Sequence, residues 1–443
     1  MTLSTDSIAA ITTPPGKGGV GIVRVSGNQA QLVAQTLLGF VPHARHAELT
    51  WFLNAQQEKI DQGIAIYYPG PNSYTGEDVL ELQGHGGPVV MQLLLNAVLD
   101  CGVRLAEAGE FTQRAFLNDK MDLAQAEAVA DLIDSGSAQA AQAAVRSLQG
   151  VFSVQVNSLV AQLIDLRAYV EAALDFPEEE IDFLATEELA TRFSRIKQEF
   201  NNLQQSVKQG ALLREGLTAV IVGKPNAGKS SLMNRLAGYE AAIVTDIPGT
   251  TRDVLKEQIV LDGLPLHIID TAGLRESEDV IEQEGIRRAH SAIESADVIL
   301  QVVDVNGVDI DHELELDTSL PILSIYNKID LGAASPEDSD EQFIYLSALT
   351  GEGLDKLITQ LKRIAGFQSD AANTLGARTR HLNALNTAQS HIDIAFEHLS
   401  TSRAGELVAE ELRLAQEHMS SITGEFTSDD LLGKIFGSFC IGK

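Results

Sequence analysis

Cysteine is scarce, with Cys101 and Cys440 the only two in 443 residues. That excludes a disulfide framework and fits a reducing compartment. Long apolar runs are missing too, since no window approaches the roughly 20 consecutive apolar residues that a membrane-spanning helix needs. The opening MTLSTDSIAAITTPPGKGG has neither the basic start nor the apolar core of a secretory signal. A cytoplasmic protein without membrane association is therefore expected. Basic residues are outnumbered, 32 against 62 acidic ones, for a formal charge of −30. Diffuse attraction cannot hold nucleic acid to such a surface, so a nucleic acid substrate would require a local basic patch or a basic partner.

What is present is globular in composition, 44% hydrophobic and 21% charged, and long enough for roughly two to four domains. Residues 1 to about 117 mix short β-type runs (GIVRVSG, GIAIYYPG, DVLELQGHGG) with a helical stretch near Val89 to Leu99, which reads as a small α/β or α+β unit. From Asp119 the chain is rich in Ala, Gln and Leu at helical spacing, with almost no turn residues. Pro177 interrupts this helix, which resumes from about Glu187 to Leu213. Near Gly216 short apolar strands begin to alternate with helices, and this continues to about Phe367 before helical texture returns. The expected architecture is multidomain, α/β and all-α: an N-terminal α/β domain (1–118), a helical domain in two segments (119–215 and 369–443), and an α/β domain (216–368) inserted between them.

The inserted block carries the chemistry. TAVIVGKPNAGKSS is an apolar strand, then Gly223 to Ser230 with P-loop spacing, then a helix beginning SLMNRLAG. In such a loop the backbone N–H groups from Asn226, Ala227 and Gly228 to Ser231 cradle phosphates, Lys229 reaches the terminal ones and Ser230 binds magnesium. HIIDTAG ends a second strand at Asp270, followed by Thr271, Ala272 and Gly273, whose N–H can meet a terminal phosphate. SIYNKID ends a third with Asn327, Lys328 and Asp330, whose carboxylate can accept two hydrogen bonds from guanine that adenine cannot supply. YLSALTGEG then offers Ser347 and Ala348 to the base. Following a P-loop in this order, the series selects GTP. The Thr-rich TDIPGTTRD (Thr245, Asp246, Ile247, Pro248, Gly249, Thr250, Thr251) reads as a mobile loop in which Thr250 or Thr251 offers magnesium a hydroxyl, and Asp262-Gly263 as a hairpin turn. The block resembles Ras-like and translation-factor-like GTPases, with one departure: Leu274 stands where a water-orienting glutamine would follow DTAG. A leucine cannot orient water. Acidic residues crowd the loop beyond it (Glu276, Glu278, Asp279, Glu282, Glu284), and neither Arg252 nor Arg275 can be named an arginine finger.

TPPGKGGVGIVRVSG, PNSYTGEDVLELQGHGG, FLNDKMDLAQAEAVADLI, TDIPGTTRD and the terminal FTSDDLLGKIFGSFCIGK together resemble the MnmE (TrmE) family of tRNA-modification GTPases, in the wider TrmE-Era-EngA-like group, over essentially the whole chain. The resemblance implies an N-terminal folate-binding and dimerisation domain, a two-segment helical domain and an inserted Ras-like P-loop GTPase domain. It implies a homodimer that, with the FAD-containing partner MnmG (GidA) in a heterotetramer or larger complex, places an aminomethyl or carboxymethylaminomethyl group on carbon 5 of a tRNA wobble uridine. A methylene- or formyl-tetrahydrofolate derivative would supply the one-carbon unit, with GTP, Mg2+ and K+ as the other small partners. Potassium would be bound by Asn226, Thr245, Ile247 and Thr250, and magnesium by Ser230 and Thr251. Glu282 would act as the general acid/base through a second water, which resolves the missing glutamine. Folate contacts carry over to Arg24, Glu81, Lys120 and Lys443. Arg24 and Lys120 suit an anionic glutamate tail, and Glu81 a pteridine edge.

Two further motifs are weighed on their residues. Gly16 to Gly21, GKGGVG, lacks the Gly-Lys-Ser/Thr that closes a P-loop and is not read as one. The ending Cys440-Ile441-Gly442-Lys443 fits prenylation poorly, because Gly442 is not aliphatic, Lys443 is not a usual last residue and no polybasic tract precedes it. Cys440 is read instead as a thiol that takes part in the modification chemistry, against the plainer alternative of a small packed residue. A ribosome-assembly GTPase is the rival function, since GKPNAGKSSLMN and GTTRD suit it as well.

Overall fold

The computed structural model describes residues 6–175, 187–238, 256–270, 296–307, 320–332, 334–368, 374–401, 404–425 and 429–442. By contact the chain divides into two compact units, residues 1–130 with 156–160 and 416–443, and residues 131–155 with 161–415.

The first unit is built on a six-stranded sheet of β1 (Ile8–Ile11), β2 (Gly18–Ser26), β3 (Glu48–Leu53), β4 (Lys59–Tyr68), β5 (Val79–Gly86) and β6 (Arg104–Leu105), in the order β3-β4-β5-β2-β1-β6. Period-2 patterning sets its faces: Val23 and Val25 of β2 are buried under α1 (Ala30–Leu38) and α2 (Pro88–Leu99), which turns Arg24 to the opposite face. Gly18 to Gly21 open strand β2 and lead into no helix, in keeping with the rejected second phosphate loop. A buried Arg114 on α3 (Glu110–Leu117) bonds Asp6, Glu77 and Glu110, tying that helix to the start of β1. Phe116, Leu123 and Ala126 pack against Phe436 near the end of α12 (Asp429–Gly437) and Phe439 just beyond it, where the tail begins.

In the second unit, α5 (Ala138–Leu148), most of α6 (Val151–Asp175), α7 (Glu187–Glu215), α10 (Thr379–Thr401) and the first half of α11 (Gly405–Thr423) supply the helical part; α4 (Leu123–Ile133) precedes them, and residues 156–160 of α6 and 416–423 of α11 count with the first unit. Helix α7 resumes at Glu187 as expected, and Pro177 itself lies outside the described residues. Between α7 and α10 sits a second six-stranded sheet: β7 (Leu217–Val222), β8 (Lys256–Leu261), β9 (Leu264–Asp270), β10 (Val298–Asp304), β11 (Ile322–Asn327) and β12 (Phe343–Leu346), ordered β12-β11-β10-β7-β9-β8. All are parallel except edge strand β8, which turns back onto β9 through Asp262 (φ 46°) and Gly263 (φ 94°), the expected hairpin. Apart from the half-buried Thr218, strand β7 is apolar and buried on both faces, with α8 (Lys229–Ala237) and α9 (Leu354–Ala365) packed on the face of Ala219 and Ile221.

The two chain crossings of this inserted block are fastened at one place. The buried Asp131 carboxylate accepts from Arg214 Nε at 2.7 Å on the way in and from Arg378 Nη2 at 2.8 Å on the way out. Beside them Glu215 accepts from Thr379 Oγ1 at 2.5 Å, and a Cβ on Gly210 would lie 1.7 Å from the Leu375 carbonyl oxygen. Only glycine allows that approach. Arg378 is 12% exposed at its side chain and Asp131 8%, so Asp131→Ala leaves a nearly buried guanidinium without its carboxylate. We expect a loss of about 3 kcal/mol, read as a lower unfolding midpoint in denaturant with an unchanged slope; a midpoint shift worth less than about 1 kcal/mol would show that the pair is solvated.

Candidate functional site

Parallel strands with covering helices place loops from several strands at one edge of the sheet, the carboxyl edge. Here that edge collects the loop from Gly223 after β7, Asp270 closing β9, Asp304 closing β10, Asn327 closing β11 and Ser347 after β12. The loop turns by left-handed residues: Gly223 (φ 150°), Asn226 (φ 63°) and Gly228 (φ 99°), the last capping α8. Lys229, in the first turn of α8, spans the loop with its ammonium, donating to Gly223 O at 2.9 Å and Lys224 O at 3.0 Å. Ser230 and Ser231 are exposed beside it. A helix N-terminus, successive N–H groups and a lysine form an anion cradle.

Asn327 is the clamp between this loop and the base side. Buried to 2% exposure, it donates from Nδ2 to Ala227 O at 2.9 Å and accepts at Oδ1 from Lys328 N at 2.8 Å and Ala348 N at 2.9 Å. Asp330 accepts from Ser347 Oγ at 2.5 Å, so Asn327, Lys328, Asp330, Ser347 and Ala348 meet as the sequence motifs anticipate. Three residues escaped the sequence reading. Arg235 of α8 donates to Ala348 O at 3.0 Å and to Leu349 O. Asp304 receives the Lys328 ammonium at 2.7 Å, and this bond holds its carboxyl below the usual range. Asn306 Nδ2 donates to Lys328 O at 3.1 Å. A signal existed for Asp304 alone: an aspartate ends the apolar strand VILQVVD, as Asp270 ends its own.

Thr245, Asp246, Ile247, Pro248, Gly249, Thr250, Thr251, Arg252, Thr271, Ala272, Gly273, Leu274, Arg275, Glu282 and Lys443 lie outside the described residues, and of Asp270 only the backbone is described.

A second polar cluster stands on the N-terminal sheet. Antiparallel register sets Arg24 opposite Glu81, and Arg24 Nε donates to Glu81 Oε1 at 2.9 Å. Read separately in the sequence, the two are one ion pair. The Tyr74 and Phe111 rings, 5.5 and 5.6 Å from the guanidinium, hold it by cation–π contact. Burial pushes the Tyr68 phenol up, and the Glu81 charge adds to this. Lys120 is exposed, and its stem lies beside Gly76, two residues from Tyr74. The tail joins this unit: Ile441 bridges Ala108, Gly109 N donates to Cys440 O at 3.3 Å, and Cys440 itself is exposed. An exposed thiol is not a packed small residue.

The comparisons with known proteins agree in extent with these elements. Residues 7–120 match the family model of the GTP-binding protein TrmE N-terminus, and residues 123–440 that of the MnmE helical domain. The chain is similar to the tRNA modification GTPase MnmE of Proteus mirabilis, 54% identical over 452 residues, covering 99% of this chain and 100% of the relative. It is 55% identical over 449 residues to that of Nitrosomonas europaea, with 99% and 100% covered. The protein of the same name from Hydrogenovibrio crunogenus is 56% identical over 445 residues, with 99% of each chain covered. No helix among the described residues is long and apolar enough to cross a membrane.

Proposed function

The chain belongs to the MnmE family of tRNA modification GTPases, and from that membership we propose a potassium-activated GTP hydrolysis cycle coupled to modification of carbon 5 of the tRNA wobble uridine. What supports this reading is the presence in one chain of two polar constellations, the loop and clamp around Lys229 and Asn327, and the pair of Arg24 with Glu81 beside two aromatic rings.

At the first site, Asn226, Ala227, Gly228, Lys229, Ser230 and Ser231 cradle the phosphates, and Asn327, Lys328, Asp330, Ser347 and Ala348 read guanine. The exposed Ser230 hydroxyl suits a hard cation, magnesium, together with Thr251. Potassium, held by Asn226, Thr245, Ile247 and Thr250, would supply the positive charge among phosphate oxygens that an arginine finger brings elsewhere. Glu282 takes the proton of the attacking water through a second water, and Asp270, Thr271, Ala272 and Gly273 complete the phosphate side.

At the second site a tetrahydrofolate derivative would supply the one-carbon unit. Glu81 accepts from its ring N–H donors while Arg24 and Lys120 meet its anionic tail, with Lys443 from the chain end. The acidic chain works as a cytoplasmic homodimer with an FAD-containing partner, MnmG, which carries much of the tRNA contact. Domain boundaries at 118/119, 215/216 and 368/369 fit this division of labour.

One preparation tests the reading by two measurements. GTP turnover in potassium is expected to exceed that in sodium by at least about tenfold, and 5-formyl-tetrahydrofolate is expected to bind in calorimetry, with Arg24→Ala weakening it by about tenfold or more. Equal rates in the two salts remove the potassium role. Absence of folate binding by the unaltered chain favours the ribosome-assembly GTPase instead.

A further inference from the structure

We propose that Asp304 is a positioning residue for guanine-nucleotide binding, holding the Lys328 ammonium at the base-side surface before nucleotide arrives, an inference that rests on the reading of Lys328 as a base contact. Strand register places Asp304 directly beside Asn327, the residue preceding Lys328. Lys328 then turns left-handed, φ 70°, which sends its side chain back across β11 toward β10. There the Asp304 carboxylate divides its two oxygens. Oδ2 takes the ammonium at 2.7 Å, while Oδ1 accepts from Asn306 N at 3.1 Å and so caps the turn that follows β10. That turn is closed by Gly307 N donating to Asp304 O at 2.9 Å, and Asn306 reaches back to Lys328 O. A Cβ on Gly332 would lie 2.6 Å from Asn306 Oδ1, so the far side of the turn is packed as well.

The pair is about a third exposed, 30% at Lys328 and 32% at Asp304, so screening keeps its direct attraction small. Its effect comes through order. A lysine stem has four carbons and many rotamers, and a ligand that must fix them binds more weakly than one that finds them fixed. Through this bond Asp304 acts on affinity by way of Lys328.

The test is a double-mutant cycle on the full chain with GDP as the probe, comparing the unaltered protein, Asp304→Asn, Lys328→Ala and the pair combined. Asp304→Asn keeps an oxygen for Asn306 N and so preserves the turn; only the charge partner of Lys328 is lost. The expected result is an increase of about tenfold in the GDP dissociation constant for Asp304→Asn, a KM that follows it, and a kcat at saturating GTP that changes less than the KM. The combined variant should bind no more weakly than Lys328→Ala alone. If Asp304→Asn binds GDP within twofold of the unaltered chain while Lys328→Ala is weakened, the proposal is wrong and the reading of Lys328 survives. If Lys328→Ala leaves GDP affinity unchanged, the reading of Lys328 falls and the proposal with it. Additive losses would show that Asp304 acts by another route, which also overturns it.

Discussion

Gly228→Ala is expected to abolish measurable GTP turnover by weakening nucleotide binding a hundredfold to a thousandfold. Two effects add. The residue sits at φ 99°, where an L side chain is strained by about 1–2 kcal/mol. A Cβ there would lie 2.1 Å from Asn327 Nδ2, and Asn327 cannot give way without releasing the Ala227 carbonyl and the Lys328 and Ala348 N–H groups. Each such bond is worth about 1 kcal/mol, more when a buried group is left without a partner. Together with the strain this reaches roughly 4 kcal/mol, about three decades in affinity. Titration of GDP by calorimetry, alongside thermal melting to confirm folding, measures it. Gly238→Ala is the control: Gly238 closes the same helix at φ −90°, and a Cβ there meets nothing nearer than the Asn234 carbonyl at 3.4 Å. It should stay within about twofold. Normal GDP affinity in Gly228→Ala would mean that the Asn327 clamp does not organise the phosphate loop.

That clamp marks the border between what the sequence reveals and what only the fold does. The strand, loop and helix around Lys229 were legible because they are contiguous and each follows a local rule: apolar strand, left-handed glycines, helix N-terminus. The Asp262-Gly263 hairpin was legible for the same reason. In the N-terminal unit helix α2 is legible in the sequence, whereas α1 and α3, nine and eight residues long, are not, because so few turns give a weak periodic signal. Pairings across the chain left no local trace at all. Arg24 and Glu81 stand 57 residues apart and meet by antiparallel register, and the aromatic cage of Tyr74 and Phe111 comes from two further elements. Asp131 and Arg378 are 247 residues apart. Their contact follows from the insertion, since an element placed between two segments of one helical layer must leave its entry and exit close together.

Gly442→Ala and Cys440→Ser are expected to remove tRNA modification while GTP turnover stays within about twofold, and the two should do so for different reasons. The tail is anchored on both sides of the cysteine: Phe439 is buried before it, and Ile441 pairs with Ala108 after it. Gly442 then turns at φ 96°, and a Cβ there would lie 2.6 Å from the Ile11 carbonyl oxygen and 3.1 Å from Thr12 Cα. Alanine must therefore lift the tail from the end of β1, the strand in which Ala10 pairs with Arg24. Cys440 stays exposed between these anchors, so its conversion to serine removes a thiol without disturbing packing. Modification assayed on tRNA, with GTP turnover and 5-formyl-tetrahydrofolate binding measured on the same preparations, separates them. Cys440→Ser should retain folate binding and lose product, whereas Gly442→Ala should lose both. Full modification by Cys440→Ser together with loss in Gly442→Ala would assign the tail a scaffolding role, because position and not the sulfur would then be what the reaction needs.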